Sequence, residues 1–157
     1  MTGQDLHSRL RARFGDAIGA WQLPEVGDPF VVVTADGLRD VCRFLRDEPD
    51  LQFDYLRLIT GVDRGERLGA VYHLYSYRHG HGIVLHVDVE RSDPRVPSVV
   101  ELWPAAEWHE REAYDMIGLL FEGHADLRRI LLPDDWEGHP LRKDYEAPKE
   151  YNGLTNE

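Results

Sequence analysis

A charge-dense stretch from Trp103 to Tyr145 sets the strongest limit on how this chain can build a core. It begins as a predicted helix at about residues 105–117 and continues as a loop rich in His, Arg, Asp, Trp, Gly and Pro. Too many of its residues are charged, and too few are apolar at a fixed period, for it to bury itself. The core must therefore come from residues between Leu6 and Val89. Because the stretch is rich in aromatic residues and arginines, we predict that it binds a partner protein.

Helices and strands alternate along the rest of the chain. Apolar periodicity and cap residues predict three helices. The first lies near residues 3–15, and Ile18 continues its apolar face. The second runs from an N-cap at Asp36 to before Pro49. The third lies at about 105–117, in a region that Ser98 could cap and that ends at Gly118. Runs of β-forming residues between turn signals predict five strands, at residues 21–23, 30–34, 55–63, 67–77 and 82–90.

The last predicted strand indicates the fold class. Its residues alternate, with Ile83, Leu85, Val87 and Val89 on one face and His86, Asp88 and Glu90 on the other. Such alternation is typical of a half-buried, antiparallel strand. The element order predicts an α+β two-layer sandwich, with helices on one face of a largely antiparallel sheet. We predict an α+β domain at residues 1–122 and an extended polar C-terminal tail at residues 123–157, which binds partners and is poorly packed after about Leu132 when the chain is alone.

Composition excludes several classes of function. The 157 residues include 18 Lys and Arg against 29 Asp and Glu, for a net charge of -11. An acidic surface repels nucleic acid and anionic lipid, so neither is an expected partner. The single cysteine, Cys42, cannot form an internal disulfide, and no secretory leader is recognisable at the start, so we expect a reducing compartment. No apolar run approaches the roughly 20 residues of a membrane span, so we expect no direct membrane insertion.

Rare residues at fixed spacing within the charged stretch resemble a known family. They are Glu110-Arg111-Glu112, Asp115, Gly118, Gly123-His124, Leu127 to Leu131, and Asp134 to Tyr145. This ordered set is similar to the signature of the C subunit of respiratory NADH-quinone oxidoreductase (complex I). The resemblance covers about the last third of the chain. Ala125 departs from the pattern, because the family usually has proline after the signature histidine.

The resemblance implies a structural and assembly subunit in the peripheral arm of a proton-translocating NADH-quinone oxidoreductase. Such a protein packs mainly against the large D subunit, which helps form the quinone site, near the iron–sulfur subunits and on the cytoplasmic side of the bacterial inner membrane. FMN, iron–sulfur clusters and quinone would belong to the complex, and this chain would bind no cofactor and have no catalytic residue. Its one cysteine, and the lack of dinucleotide or phosphate-loop motifs, agree with that expectation.

The predicted partner interface combines the charged helix with the loop that follows it. Its residues are Glu110, Arg111, Glu112, Asp115, His124, Arg128, Arg129, Trp136, His139, Arg142, Lys143, Asp144 and Tyr145. Helical spacing also predicts ion pairs from Glu107 to Arg111 and from Arg111 to Asp115. The two cationic doublets, at 128–129 and 142–143, are expected to bind acidic patches on the partner through forked hydrogen bonds.

Two other functions stay open from the sequence. The chain could be the equivalent subunit of a related membrane-bound hydrogenase or of another donor-linked quinone reductase. More distantly, His79, His81, His86 and Asp88 could form the metal site of a stand-alone hydrolase. Glycines beside the first two histidines favour an exposed hairpin turn instead, and an exposed strand face also explains the other two residues.

Overall fold

The computed structural model describes residues 2–155, in which three α-helices, one short 3-10 helix (Gly15–Ala17) and nine strands are formed. The helices are α1 (Gly3–Phe14), α2 (Ala35–Asp47) and α3 (Ala106–Ile117). The strands are β1 (Ile18–Gln22), β2 (Phe30–Val33), β3 (Tyr55–Asp63), β4 (Arg67–Ser76), β5 (His81–Glu90), β6 (Arg95–Pro97), β7 (Leu120–Glu122), β8 (Glu150–Tyr151) and β9 (Leu154–Thr155).

Five of the strands form one sheet in the order β1-β2-β5-β4-β3. Every neighbouring pair is antiparallel except β2 and β5, which are parallel. Two small sheets lie outside it, the parallel pair β6–β7 and the antiparallel hairpin β8–β9. The α+β class and the largely antiparallel sheet are therefore confirmed.

The core lies between one face of this sheet and the helices. It also includes Val96, Trp103, Ile117 and Phe121, so the expectation that it comes only from residues between Leu6 and Val89 is wrong. The predicted alternation of β5 places Leu85 and Val87 on the buried face, opposite Tyr72 and Ala70 of β4. The apolar stripes of α1 and α2 cover this face with Leu6, Leu10, Leu38, Val41, Cys42 and Leu45, all buried. Each such aliphatic side chain contributes about 1.5–3 kcal/mol on burial, so this layer dominates the stability of the domain.

Four predicted boundaries are wrong. Strand β1 begins at Ile18 and ends at Gln22, rather than covering residues 21–23. Ile18 does not continue helix α1, because Gly15 has a positive φ of 54° and the chain turns there into β1. Helix α2 is capped by Thr34, whose hydroxyl accepts from the N–H of Gly37, and Asp36 lies in its first turn. Helix α3 begins only at Ala106, and Ser98 does not cap it.

Buried residues are found only up to a sharp point in the described part of the chain. Phe121 is buried, whereas every residue from Glu122 to Thr155 is exposed or only partly buried. This agrees with a polar extension, although the boundary at 122/123 as a domain division stays a prediction. Within residues 2–155 no helix has both the length and the apolar character that a bilayer crossing requires.

Candidate functional site

The candidate site is helix α3 together with the strap, the segment of residues 123–145 that runs back along it. Helix α3 lies close to β3, because a Cβ on Gly61 would come within 2.9 Å of Cγ1 of Ile117. At its end Gly118 has a φ of 80°, the left-handed conformation that favours glycine, so the helix stops as predicted. The strap then turns back over the helix.

Asp115 joins the strap to the helix. It is fully buried, its Oδ1 accepts a 2.7 Å hydrogen bond from Arg129, and its Oδ2 accepts the N–H groups of Ile130, Leu131 and Leu132 at 3.0, 2.7 and 3.1 Å. Burial alone would raise the pKa of Asp115, but Arg129 and the three N–H groups outweigh it and hold the pKa below its ordinary value. The predicted ion pair with Arg111 is wrong, since both carboxylate oxygens are occupied by the strap.

Arg111 is also buried, which is unusual for an arginine. Its Nε donates to the carbonyl of Arg128 at 3.3 Å, and its Nη1 lies 3.8 Å from the carboxylate of Glu107, so that predicted pair is confirmed. Its guanidinium also lies 4.9 Å from the ring centroid of Trp108. Arg111 therefore stabilises both the strap and the indole of Trp108.

Glu110 is also buried, but it binds residues next to β6 and not the strap. Ser98 Oγ and the N–H of Val99 donate to its two carboxylate oxygens at 2.7 and 2.8 Å. Burial raises the pKa of Glu110 to about 7, because these hydrogen bonds offset only part of the desolvation. Ser98, predicted as a helix cap, instead joins the β6 region to this buried carboxylate.

Three of the residues predicted to form the partner interface have side chains that are buried instead. Glu110, Arg111 and Asp115 are buried within the chain, so they have almost no surface to offer to another protein. Apart from the Glu107–Arg111 pair, their hydrogen-bond partners lie 11–17 positions away, which the local pattern of the sequence does not show. The expectation that the charged stretch cannot bury itself is therefore wrong for the inner side of α3.

The strap is held to the domain by polar contacts. His124 Nε2 hydrogen-bonds to the carbonyl of Glu107 at 3.2 Å, and His139 Nδ1 to the carbonyl of Asp115 at 3.0 Å. Arg142 Nε donates to the carbonyl of Ile117 at 2.6 Å, which satisfies a carbonyl at the end of the helix. Both predicted hydrogen-bonding histidines thus bond within the chain, and contact with a partner stays a prediction for them.

Asp63, at the end of β3, holds the far end of the strap, and no feature of the sequence singled it out. Its side chain is almost fully buried and accepts from Arg91 at 2.9 Å, from the N–H of Gly65 at 2.8 Å and from the N–H of Lys143 at 2.9 Å. Burial opposes ionisation, yet these donors lower the pKa of Asp63 to about 2. Arg91 also pairs with Asp144. Only an acidic residue before a turn is visible in the sequence.

The other predicted interface residues differ in how much surface they offer. Glu112 is partly exposed, and Arg128 is 64% exposed and pairs with nearby Asp126. Arg129 is 12% exposed because it faces Asp115. Trp136 and Tyr145 are partly buried against each other, with a 3.1 Å hydrogen bond from the indole N–H to the phenol oxygen.

The histidines of the hydrolase alternative have other partners. His79 and His81 hydrogen-bond to the carbonyls of Pro49 and Leu51, and His86 stacks on Phe30 with ring centroids 3.7 Å apart. Burial lowers the pKa of His86 to about 4, and Asp88 pairs with Arg64. Among residues 2–155 no three His, Cys, Asp or Glu side chains are grouped to hold a metal.

Comparison with known proteins covers most of the chain, including α3 and the strap. Residues 31–151 match the family described as "Respiratory-chain NADH dehydrogenase, 30 Kd subunit". Curated relatives named as the C subunit of NADH-quinone oxidoreductase include those of Chloroherpeton thalassium (45% identical, 92% of this chain, 61% of that protein) and Chlorobium phaeobacteroides (47% identical, 92% of this chain, 89% of that protein). The chain thus spans less than two thirds of the first and most of the second.

Two solved structures share the fold. A trypsin-resistant fragment of Nqo5 superimposes with a TM-score of 0.66 at 29% identity, over 79% of this chain and 98% of the fragment. A chain of the membrane-bound sulfane sulfur reductase, an archaeal respiratory membrane complex, superimposes with a TM-score of 0.73 at 25% identity, over 92% of this chain and 85% of that one.

Proposed function

This chain belongs to the family of the 30 Kd subunit of respiratory-chain NADH dehydrogenase, and on that basis we propose that it is a structural and assembly subunit of a proton-translocating NADH-quinone oxidoreductase. In such a complex electrons pass from NADH through FMN and iron–sulfur centres in other subunits to quinone. The observation that carries the proposal is the family match over residues 31–151, which includes α3 and the whole strap.

We assign the chain no redox centre and no catalytic residue. An iron–sulfur cluster is held by several cysteine thiolates, and the sequence has one cysteine. Cys42 is buried in the core, where burial raises the pKa of its thiol far above the ordinary value, so it is not a thiolate available to a metal. We therefore expect the purified chain to be colourless, and stoichiometric iron or flavin in it would contradict this part of the proposal.

The proposed partners are the D subunit, as the main one, and the neighbouring iron–sulfur subunits of the peripheral arm. The surface we assign to them is the outer side of α3 and the strap. This side combines exposed aromatic and cationic side chains, such as Trp108 and Arg128, with backbone that is irregular and little buried. The complex would hold the chain peripherally on the cytoplasmic side of the membrane.

Co-purification tests the proposal directly. The tagged chain is extracted from host membranes in mild detergent, and its companions are identified by native gel and mass spectrometry. We expect the D subunit and the flavin- and cluster-bearing subunits, together with NADH-quinone reductase activity. Deleting the chain should abolish assembled complex, and restoring it should recover assembly and turnover together. Full assembly and turnover without the chain would overturn the proposal.

A second candidate is the equivalent subunit of another donor-linked respiratory complex. It is supported by the fold shared with the chain from the sulfane sulfur reductase, although at 25% identity against 45–50% for the relatives from NADH-quinone oxidoreductases. The same purification separates the two. The second candidate would be favoured if the co-purifying proteins lacked a flavin-bearing NADH-oxidising subunit and the complex accepted electrons from another donor.

A further inference from the structure

The core contains one polar group that the chain leaves without a partner. Tyr72 of β4 is fully buried, and in the part of the chain that the structure describes its hydroxyl is the one buried side-chain polar atom with no hydrogen bond. A buried hydroxyl in that state costs free energy, so its place in the fold calls for a reason. The buried polar side chains around α3 are, by contrast, all hydrogen-bonded: Ser98, Glu110, Arg111 and Asp115.

Helix α3 runs along β3 in the direction of that strand. Just before the helix, the indole N–H of Trp103 donates at 3.0 Å to the carbonyl of Phe53, which lies two residues before β3. Near the end of the helix, Ala113 and Ile117 lie over Gly61, in the second half of β3. The first turns of α3 therefore lie over the first half of the strand.

Glu110 and Tyr72 face each other across the layer between helix and sheet. Glu110 lies two helical turns before the last of the residues that cover Gly61, on the same buried stripe of α3. Two residues back along the same face of β3 is Ile59, and the residue beside it on β4 is Tyr72. The long side chain of the tyrosine carries its hydroxyl from the sheet towards the turn of α3 that holds Glu110.

The electrostatics agree with this placement. The negative charge of Glu110 adds to burial in raising the pKa of Tyr72 and of Cys42 on α2. From the other elements, Ser98 and the N–H that follows it donate to the carboxylate, and the positive charge of Arg39 on α2 favours its ionised form. An ionised carboxylate accepts more than two hydrogen bonds, so Glu110 can take another donor.

We propose that Tyr72 and Glu110 form a pH-sensitive link between β4 and α3, in which the tyrosine hydroxyl donates to the carboxylate of Glu110 when that carboxylate is ionised. The proton that Glu110 releases passes to solvent, and the hydroxyl keeps its own. When Glu110 is neutral, the donors of residues 98 and 99 are enough for it, and the hydroxyl is left without a partner. The link goes beyond the proposed function, because it belongs to the fold and holds whichever complex the chain joins.

The first test follows the ionisation of Glu110 in the full chain by NMR of its carboxyl carbon. Tyr72→Phe removes only the hydroxyl, and hydrogen bonds to ionised groups are the strong ones. We therefore expect this variant to raise the midpoint of the Glu110 titration by about one pH unit, a tenfold change in the ionisation constant. Tyr75→Phe is the matched control and should leave the midpoint unchanged, because Tyr75 lies on the same strand but on the opposite face of the sheet. An unchanged midpoint in Tyr72→Phe would overturn the inference.

A second test needs no tyrosine variant and so holds even if Tyr72→Phe fails to fold. In the wild type, the chemical shift of the ring carbon that bears the Tyr72 hydroxyl should change with the same midpoint as Glu110. Glu110→Gln should abolish that change, because glutamine does not ionise. A Tyr72 signal that stays constant from pH 5 to pH 8 would overturn the inference. So would a melting temperature of Tyr72→Phe above that of the wild type at pH 8, since the hydroxyl would then be unsatisfied beside an ionised Glu110.

Discussion

At the scale of single residues, Glu110 is a buried carboxylate whose partners are a hydroxyl and a backbone N–H. Its pKa is raised by burial to about 7 from an ordinary 4.5, so the folded state favours the neutral form. The stabilisation from this shift is therefore fully present below pH 4.5 and is lost as the pH rises through 7. Between pH 4.5 and pH 8 the ionisation of this group therefore lowers the unfolding free energy of the wild type by on the order of 2–3 kcal/mol.

Glu110→Gln should remove this pH dependence. The glutamine can still accept from Val99 and can hydrogen-bond to Ser98, but it does not ionise. We expect the difference in unfolding free energy between variant and wild type to grow in favour of the variant from pH 5 to pH 8, measured by urea unfolding. Glu112→Gln, at a more exposed position, is the control and should show no such trend. A constant difference across that range would contradict the buried titration.

Asp115 shows the opposite case, a buried carboxylate that is stabilised in its ionised form. Asp115→Asn keeps the size of the side chain but removes the charge that Arg129 and three N–H groups bind. We expect a loss of about 3 kcal/mol in unfolding free energy. Hydrogen exchange of the amides of Ile130, Leu131 and Leu132 should accelerate at the same time.

Asp126→Asn is the matched control for Asp115→Asn. Asp126 also pairs with an arginine of the strap, Arg128, but both side chains are mostly exposed, so the pair is worth little. We expect its unfolding free energy to stay close to that of the wild type. If Asp115→Asn were equally mild, the strap would not depend on the buried carboxylate.

At the scale of elements, the close approach of α3 to β3 depends on the missing side chain of Gly61. A Cβ there would lie 2.9 Å from Ile117 Cγ1 and 3.3 Å from Ala113 Cβ, closer than normal contact, so Gly61→Ala must displace the helix. Overpacking of this kind costs about 1–3 kcal/mol, and we expect a loss of that size in chemical denaturation.

Gly82→Ala gives the matched comparison in the same sheet. At Gly82 a Cβ would meet its nearest neighbours at 3.4 and 3.5 Å, which is ordinary contact. We therefore expect no loss of stability, since alanine is also less costly than glycine in a strand. A Gly61→Ala variant as stable as Gly82→Ala would show that α3 adjusts its distance from β3 freely.

The elements themselves are largely predictable. The bounds of β3 and the end of α3 at Gly118 agree with the sequence prediction, because a run of β-forming residues between turn signals and a left-handed glycine are local signals. The predicted N-cap of α2, Asp36, lies two residues beyond the observed one. Thr34 and Asp36 are both good cap residues, and only the backbone geometry distinguishes them.

At the scale of the whole molecule, the α+β domain and the strap should differ in their dynamics. The domain has a continuous apolar core, whereas the described residues beyond Phe121 include none that is fully buried. In the isolated protein we expect slow hydrogen exchange in β4 and β5 and fast exchange over most of residues 135–150. The amides bound by Asp115 should exchange more slowly than the other amides of the strap.

Assembly with the partners should change this pattern in a specific way. Exchange along the strap should slow in the purified complex, while exchange in β4 and β5 stays as it is in the isolated chain. The core strands serve as the internal control for both measurements. Uniformly strong protection of residues 135–150 in the isolated monomer would show that the strap is ordered without a partner.

The sequence by itself determined the apolar faces of α1, α2 and β5 and the family, because each depends on residue type and on spacing along the chain. It did not show that the core extends beyond Val89 to Phe121. Only the tertiary structure decided which charges of α3 are internal. Glu110, Arg111 and Asp115 resemble surface residues in the sequence. Helical periodicity predicts the Glu107–Arg111 pair, but the hydrogen bonds to Ser98, Arg128 and Arg129 lie beyond its reach. A charged group can be buried when distant donors and acceptors satisfy it, and that condition depends on how the chain folds back on itself. For the same reason the local sequence does not distinguish Trp108 from its neighbours, and the structure shows that its side chain is exposed on the outer side of the helix.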